Sequence, residues 1–175
     1  MAIDVYLSEE KIQKRIAELG AEISKDYAGE EEVIVVGVLN GSFIFMADLV
    51  RKLDLPVQME FLGASSYGDE TESSGNVKIH LDLRKDISGK HVLLVEDIVD
   101  TGNTIKALQE LLSGRNAKSV KVCSFLFKPA RLVHKVKIDY LAFEIEDHFV
   151  IGYGLDYAGR YRELPYVGIW SEEEK

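Results

Sequence analysis

The chain has 175 residues, 46% of them hydrophobic and 29% charged, with a formal net charge of −9. That length suits one domain over residues 1–175 with a substantial core, and the excess of acid argues against broad nucleic-acid or anionic-membrane binding. Cys123 is the only cysteine, which excludes an internal disulfide framework and a multi-cysteine zinc site.

The first eight residues show no basic region followed by an apolar stretch, so no secretory signal is expected. Ser8 starts a helix on which Ile12, Ile16, Leu19 and Ile23 share one face, with Glu9, Glu10 and Lys25 placed to suit its dipole and Gly29 to stop it. Val33–Leu39 is a continuous apolar run of the kind that forms a buried parallel strand. Phe43, Met46, Ala47 and Val50 follow at helical spacing, then Val57, Met59 and Phe61 alternate as a strand, completing one βαβ unit. The whole apolar stretch from Val33 to Val50 is interrupted by Asn40, Gly41, Ser42 and Asp48, too polar for a membrane span, and the chain reads as cytoplasmic. Gly63–Asn76 is a long polar loop, of a length usually functional or mobile, leading to alternating Val77, Ile79 and Leu81.

A second βαβ unit runs through the strand Val92–Val99, the helix Thr104–Leu112 closed by Gly114, and the strand Val120–Phe127. Cys123 lies inside this last apolar segment and reads as a buried structural thiol. Short strands around Leu141–Phe143, Phe149–Ile151 and Val167–Trp170 complete the chain. The expected architecture is α/β: a mainly parallel twisted sheet flanked by helices, with a small hood from the C-terminal and N-terminal parts. Ligands of such sheets bind beyond the C-terminal ends of the strands.

One strand end stands out. Val92-Leu93-Leu94-Val95-Glu96-Asp97-Ile98-Val99-Asp100-Thr101-Gly102-Asn103-Thr104 begins as a buried strand, then places three carboxylates within five residues before a helix. Helix capping by Asp100, Thr101 or Thr104 would explain one of these residues. It leaves the Glu96-Asp97 pair at the end of an apolar strand unexplained, where unpaired charge is costly. A phosphorylated ribose accounts for the set: carboxylates accept from the sugar hydroxyls, and Thr101–Thr104 offer backbone N–H groups and hydroxyls at a helix N-terminus.

These residues resemble the 5-phosphoribosyl 1-diphosphate (PRPP) signature of the type I phosphoribosyltransferases, and VEDIVDTGNT is most similar to the hypoxanthine-guanine members. The likeness runs from the Val33 strand to the Arg162 region. It implies a magnesium-dependent enzyme that transfers the phosphoribosyl group from PRPP to hypoxanthine and/or guanine in purine salvage. It assigns Glu96 and Asp97 to the ribose and its Mg2+, Thr101, Gly102, Asn103 and Thr104 to the 5′-phosphate, and Asp100 to the proton on the base. Leu39, Asn40, Gly41 and Ser42 correspond to a pyrophosphate loop whose peptide before Asn40 is often cis in the family; alone they fit a strand-to-helix turn with Ser42 as cap. Ser66 and Tyr67 correspond to a mobile loop that closes over the site.

On the base side, the resemblance gives Lys128 the purine 6-oxo group, Phe149 the stacking ring, Val150 a backbone contact to the base edge, Asp156 a link between Mg2+ and the base pocket, and Arg162 the pyrophosphate. Taken singly, Lys128 fits a solvent-exposed strand end, Phe149 and Val150 a strand core, and Asp156 or Arg162 a surface ion pair. A homo-oligomer, dimer or tetramer, is implied as well. The sequence leaves open a regulator that keeps the PRPP fold and binds nucleic acid, for which Lys118, Lys121, Arg131, Lys135 and Lys137 form a loose basic cluster, and an enzyme preferring xanthine.

Overall fold

The structure, a computed structural model, describes residues 2–66 and 77–171. Strand β1 (Ala2–Leu7) leads into helix α1 (Glu9–Asp26), followed by β2 (Val33–Leu39), α2 (Phe43–Val50), β3 (Val57–Ser66), β4 (Val77–Leu81), β5 (His91–Val99) and α3 (Asn103–Ser113). Then come β6 (Ser119–Phe127), a single 3-10 turn at Pro129–Arg131, β7 (Tyr140–Glu144), β8 (Val150–Ile151) and β9 (Val167–Ser171). Six strands form one sheet in the order β4-β3-β2-β5-β6-β7. Only β4 runs antiparallel to its neighbour.

The apolar runs become strands buried on both faces. In β2, Val33 and Val35 join one core with α1 and α2, while Ile34, Val36 and Val38 join a second core with α3. β5 repeats the division, with Leu93 and Val95 on the first side and Val92 and Leu94 on the second. Helix α1 buries Ile12, Ile16, Leu19 and Ile23, and the Ser8 hydroxyl accepts from the Lys11 N–H at 3.3 Å as its cap. Each of those four side chains contributes about 1.5–3 kcal/mol relative to exposure.

β1, β9 and β8 make a separate antiparallel sheet, the hood. Leu7, Val150, Tyr153, Leu155 and Val167 pack it on the α1–α2 side of the core. The chain winds one way from β2 through α2 to β3 and the other way from β5 through α3 to β6. The adjacent pair β2–β5 is therefore the topological switch point, where a crevice opens at the strand ends.

Three local expectations are corrected. The buried face of α2 is Phe45, Met46 and Leu49, whereas Phe43 and Ala47 are exposed. Gly63–Ser66 belong to β3, paired with β4, so the polar segment begins later than Gly63. The strand around Leu141–Phe143 is the edge of the main sheet, paired in parallel with β6, rather than part of the hood. Among the described residues, no helix is long and apolar enough to cross a membrane.

Candidate active site

The first wall of the crevice is the end of β2. The Leu39–Asn40 peptide is cis. Ser42 is fully buried and donates its hydroxyl to the Val38 carbonyl at 2.7 Å, so it does not cap α2 with its side chain. Gly41 touches two neighbours that leave no room for a side chain. A Cβ there would stand 1.6 Å from Asp97 Oδ2, and one on Gly154, whose φ is +99°, would stand 2.0 Å from the Gly41 carbonyl oxygen. The ends of β2 and β5 and the turn after β8 thus meet at one point.

The second wall is the end of β5. Glu96 is 5% exposed, and its carboxylate accepts from the Asp97 N–H at 3.1 Å. Asp97 accepts from the Ile98 N–H at 2.8 Å. Burial pushes the Glu96 carboxyl well above the usual carboxylate range, and the adjacent Asp97 charge adds to it. Burial raises Asp97 as well, with the Arg162 charge pulling the other way. Two neighbouring acids with so little solvent call for a cation. Carboxylate oxygens suit Mg2+, which is commonly held by one or two carboxylates together with substrate phosphates. Among the described residues no three His, Cys, Asp or Glu side chains gather as a metal cluster, so Asp156 does not complete one with Glu96 and Asp97.

Beyond β5, the turn into α3 is shaped by Gly102, which sits at the N-cap of the helix in the left-handed conformation (φ +85°) and supplies no side chain to the first turn. Thr101 Oγ1 accepts weakly from the Asn103 N–H at 3.4 Å, while the Asn103 side-chain oxygen is buried without a hydrogen-bond partner. Ile98, Val99, Asp100, Thr101, Gly102, Thr104 and Ile105 line a cavity of about 70 Å3. The unsatisfied donors of a helix N-terminus facing a small cavity form a cradle for an oxyanion.

The third side is built on β6 and the hood. Lys128 is only 8% exposed, unlike an ordinary strand-end lysine, and its Nζ donates to Asp147 Oδ1 at 3.4 Å. Phe149 is 52% exposed, so its ring is not in the core; it meets Tyr157 edge-on, and Tyr157 stacks on Trp170 at 4.6 Å. The Val150 side chain is buried in the core. Arg162 donates to the Gly154 carbonyl at 2.6 Å and pairs with Asp156 at 2.9 Å. Asp156 also accepts from the Gly159 N–H at 2.8 Å, which braces this turn.

The structure thus brings Asn40–Ser42, Glu96–Thr104 and the Gly152–Arg162 turn together, with Lys128 fixed near Asp100 by their shared neighbours. Ser66 ends β3 without a described side chain, and Tyr67 lies outside the described residues. Sequence reasoning missed Asp147 and placed Arg131 only in a basic cluster, yet Arg131 Nε lies 2.7 Å from Asp100 Oδ1. The clue was the spacing: Pro129 permits a tight turn that carries a side chain three residues after Lys128 back to the strand ends. The basic cluster itself is largely neutralised, since Lys118, Lys121, Arg131 and Lys137 each pair with a carboxylate.

Comparison with known proteins agrees with this geometry. A model of the phosphoribosyl transferase domain matches residues 3–158. The chain is 48% identical over 168 residues to a hypoxanthine phosphoribosyltransferase of Haemophilus influenzae, covering 95% of this chain and 94% of that one. It is 48% identical over 176 residues to a hypoxanthine-guanine phosphoribosyltransferase of Dictyostelium discoideum, covering 99% and 98%. A crystal structure of a hypoxanthine-guanine phosphoribosyltransferase from Bacillus anthracis superposes with a TM-score of 0.92 at 41% identity, covering 96% of this chain and 98% of that one. With its fold, its strand-end acids and its near full-length relatives in agreement, the chain belongs to the phosphoribosyltransferase family.

Proposed function

We propose that this chain is a purine salvage enzyme, a pentosyltransferase that moves the 5-phosphoribosyl group of PRPP to hypoxanthine and/or guanine and forms IMP or GMP with pyrophosphate. Its relatives' names carry the reaction class, and the observation that carries it within the molecule is the buried Glu96–Asp97 pair set beside a helix-terminal oxyanion cradle. Neither the nucleic-acid-binding regulator nor the xanthine-preferring enzyme is supported by these relatives.

In this reading Thr101–Thr104 hold the 5′-phosphate, and Glu96 and Asp97 take the ribose hydroxyls and Mg2+. The loop Leu39–Ser42 and Arg162 hold the pyrophosphate, the guanidinium offering its planar fork to the oxyanion. Mg2+, when bound, neutralises the diphosphate and helps it leave. Lys128 donates to the 6-oxo group, which favours a carbonyl over the amino group of adenine. Phe149 presents its exposed ring to the base, and the Val150 backbone meets the base edge. A ring nitrogen of the purine bonds to C1′ as the bond to the diphosphate oxygen breaks. The N7 proton of the base passes to the Asp100 carboxylate beyond the end of β5, which the Arg131 guanidinium faces at 2.7 Å. Asp156 braces Arg162.

The reading includes a homo-oligomer, dimer or tetramer, supported by the apolar side chains that β3 leaves exposed, Met59 and Phe61. It places the chain in the cytoplasm, in keeping with a buried Cys123 that asks for no oxidising compartment. The test supplies PRPP and Mg2+ with hypoxanthine, guanine, xanthine, adenine and uracil in turn. Pyrophosphate release with hypoxanthine or guanine is expected. Release with none, or with xanthine alone, would overturn the assignment.

A further inference from the structure

The reading above uses Lys128 and Asp100 separately, but the structure connects them through two more charges. Lys128 Nζ lies 3.4 Å from Asp147 Oδ1, the same oxygen lies 3.8 Å from an Arg131 terminal nitrogen, and Arg131 Nε lies 2.7 Å from Asp100 Oδ1. The four side chains alternate in sign and come from four places: the end of β6, the 3-10 turn, the segment between β7 and β8, and the end of β5. Asp147 is shared by two cations and Arg131 by two carboxylates. Backbone contacts hold the frame, because Lys128 N–H donates to the Val99 carbonyl at 3.0 Å and the Val133 and His134 N–H groups donate to that of Thr101 at 3.0 and 2.9 Å.

The Arg131–Asp100 contact is an ion pair and not an aligned hydrogen bond, since Asp100 Oδ1 is buried with no hydrogen-bond partner. Arg131 therefore sets the position of the carboxylate by its charge at Oδ1. We propose that Arg131 and Asp147 are positioning residues that couple recognition of the 6-oxo group at Lys128 to the aim of Asp100 at the base nitrogen, an inference that rests on the roles given above to Lys128 and Asp100. A carbonyl oxygen arriving at Lys128 competes with Asp147 for the ammonium donors. Asp147 then draws more strongly on Arg131, and the guanidinium, moving with its partner, turns the Asp100 carboxylate toward the N–H of the base. A 6-amino purine offers Lys128 no such acceptor and leaves the chain of charges as it was. Turnover, and not binding alone, then depends on the 6-substituent.

The test places Arg131→Met, Arg131→Lys and Asp147→Asn in the wild-type chain and in the Asp100→Asn chain, with kcat and KM measured for hypoxanthine at saturating PRPP and for PRPP at saturating hypoxanthine, Mg2+ being present throughout. Arg131 is half exposed, so both replacements are accommodated at the surface. Arg131→Met is expected to lower kcat roughly tenfold, within the range of couplings between contacting charges, and to leave the KM for PRPP within about twofold. Arg131→Lys recovers part of that loss by restoring the charge, and Asp147→Asn causes a smaller loss together with a higher KM for hypoxanthine. None of the three lowers the residual rate of the Asp100→Asn chain. An unchanged kcat in Arg131→Met, or the same loss in both backgrounds, overturns the inference while leaving Asp100 and Lys128 in place. Near-normal turnover in Asp100→Asn alone removes the role of Asp100, and the coupling with it, whatever the Arg131 variants do.

Discussion

At the N-terminal edge of the parallel sheet, Gly29–Glu32, Gly89–His91 and Lys118 surround a cavity of about 360 Å3, whereas the cradle at the opposite edge encloses about 70 Å3. The larger cavity is the more charged to the eye, yet its charges answer one another. Glu30 faces His91 Nε2 at 3.1 Å and Lys118 at 3.4 Å, and Lys90 faces Glu32 at 3.5 Å. The smaller site does the reverse. Glu96 and Asp97 stand side by side in the protein with burial raising both, and the buried side-chain oxygen of Asn103 lacks a hydrogen-bond partner. Two edges of one sheet therefore differ less in room than in unanswered charge, and a ligand is needed where the charge is left over.

The comparison breaks first at Asp100. Asp100→Asn keeps the shape and removes the proton acceptor, so kcat should fall by about 10²–10⁴-fold while PRPP binding changes little. Steady-state turnover together with PRPP titration checks this, and near-normal turnover would remove Asp100 from the role. A smaller effect is expected from Lys128→Met, which deletes a charged donor but keeps the stem that fills the strand end. The KM for hypoxanthine should rise by roughly 10–100-fold, the worth of a hydrogen bond to a charged group. An unchanged KM would show that the 6-oxo group is read elsewhere.

Much of this contrast is written in the sequence where the pattern is unambiguous. β2 and β5 are legible because nearly every side chain of their apolar runs is buried on one face or the other, and α1 because its isoleucines and Leu19 recur at 3.6-residue spacing among charges. The strand-end acids are legible because no core argument accommodates Glu96 beside Asp97. The phase of α2 is not, since FIFMADLV has apolar residues all round and only packing selects Phe45, Met46 and Leu49 over Phe43 and Ala47. Gly63–Ser66 look like a loop because their polarity says nothing of the β4 partner that makes them a strand. Lys128 and Arg131 show the limit most plainly. Their charge is visible in the chain, but the burial of the one and the approach of the other to Asp100 exist only after a 3-10 turn and the distant Asp147 come together.

The finest distinction between the two edges is in stability, where replacing an acid should act in opposite ways. A carboxyl raised by burial stabilises the fold below its ordinary value of about 4, and that contribution is lost as pH rises through the raised value in the folded chain. At neutral pH, without Mg2+, Asp97 is therefore a net burden. Asp97→Asn keeps an oxygen to accept from the Ile98 N–H and removes the charge. It should raise Tm by about 2–4 °C, a gain on the order of 1 kcal/mol for a chain of this size, at the expense of activity. The gain should shrink as pH is lowered toward about 4, where the native acid is itself protonated. Glu30→Gln at the other edge removes a charge already faced by His91 and Lys118, and neither Tm nor turnover should rise. Thermal melts of both variants across pH separate the cases. Equal behaviour would mean that the acids at the C-terminal edge are as well answered within the chain as those at the other, and that nothing there waits for a cation.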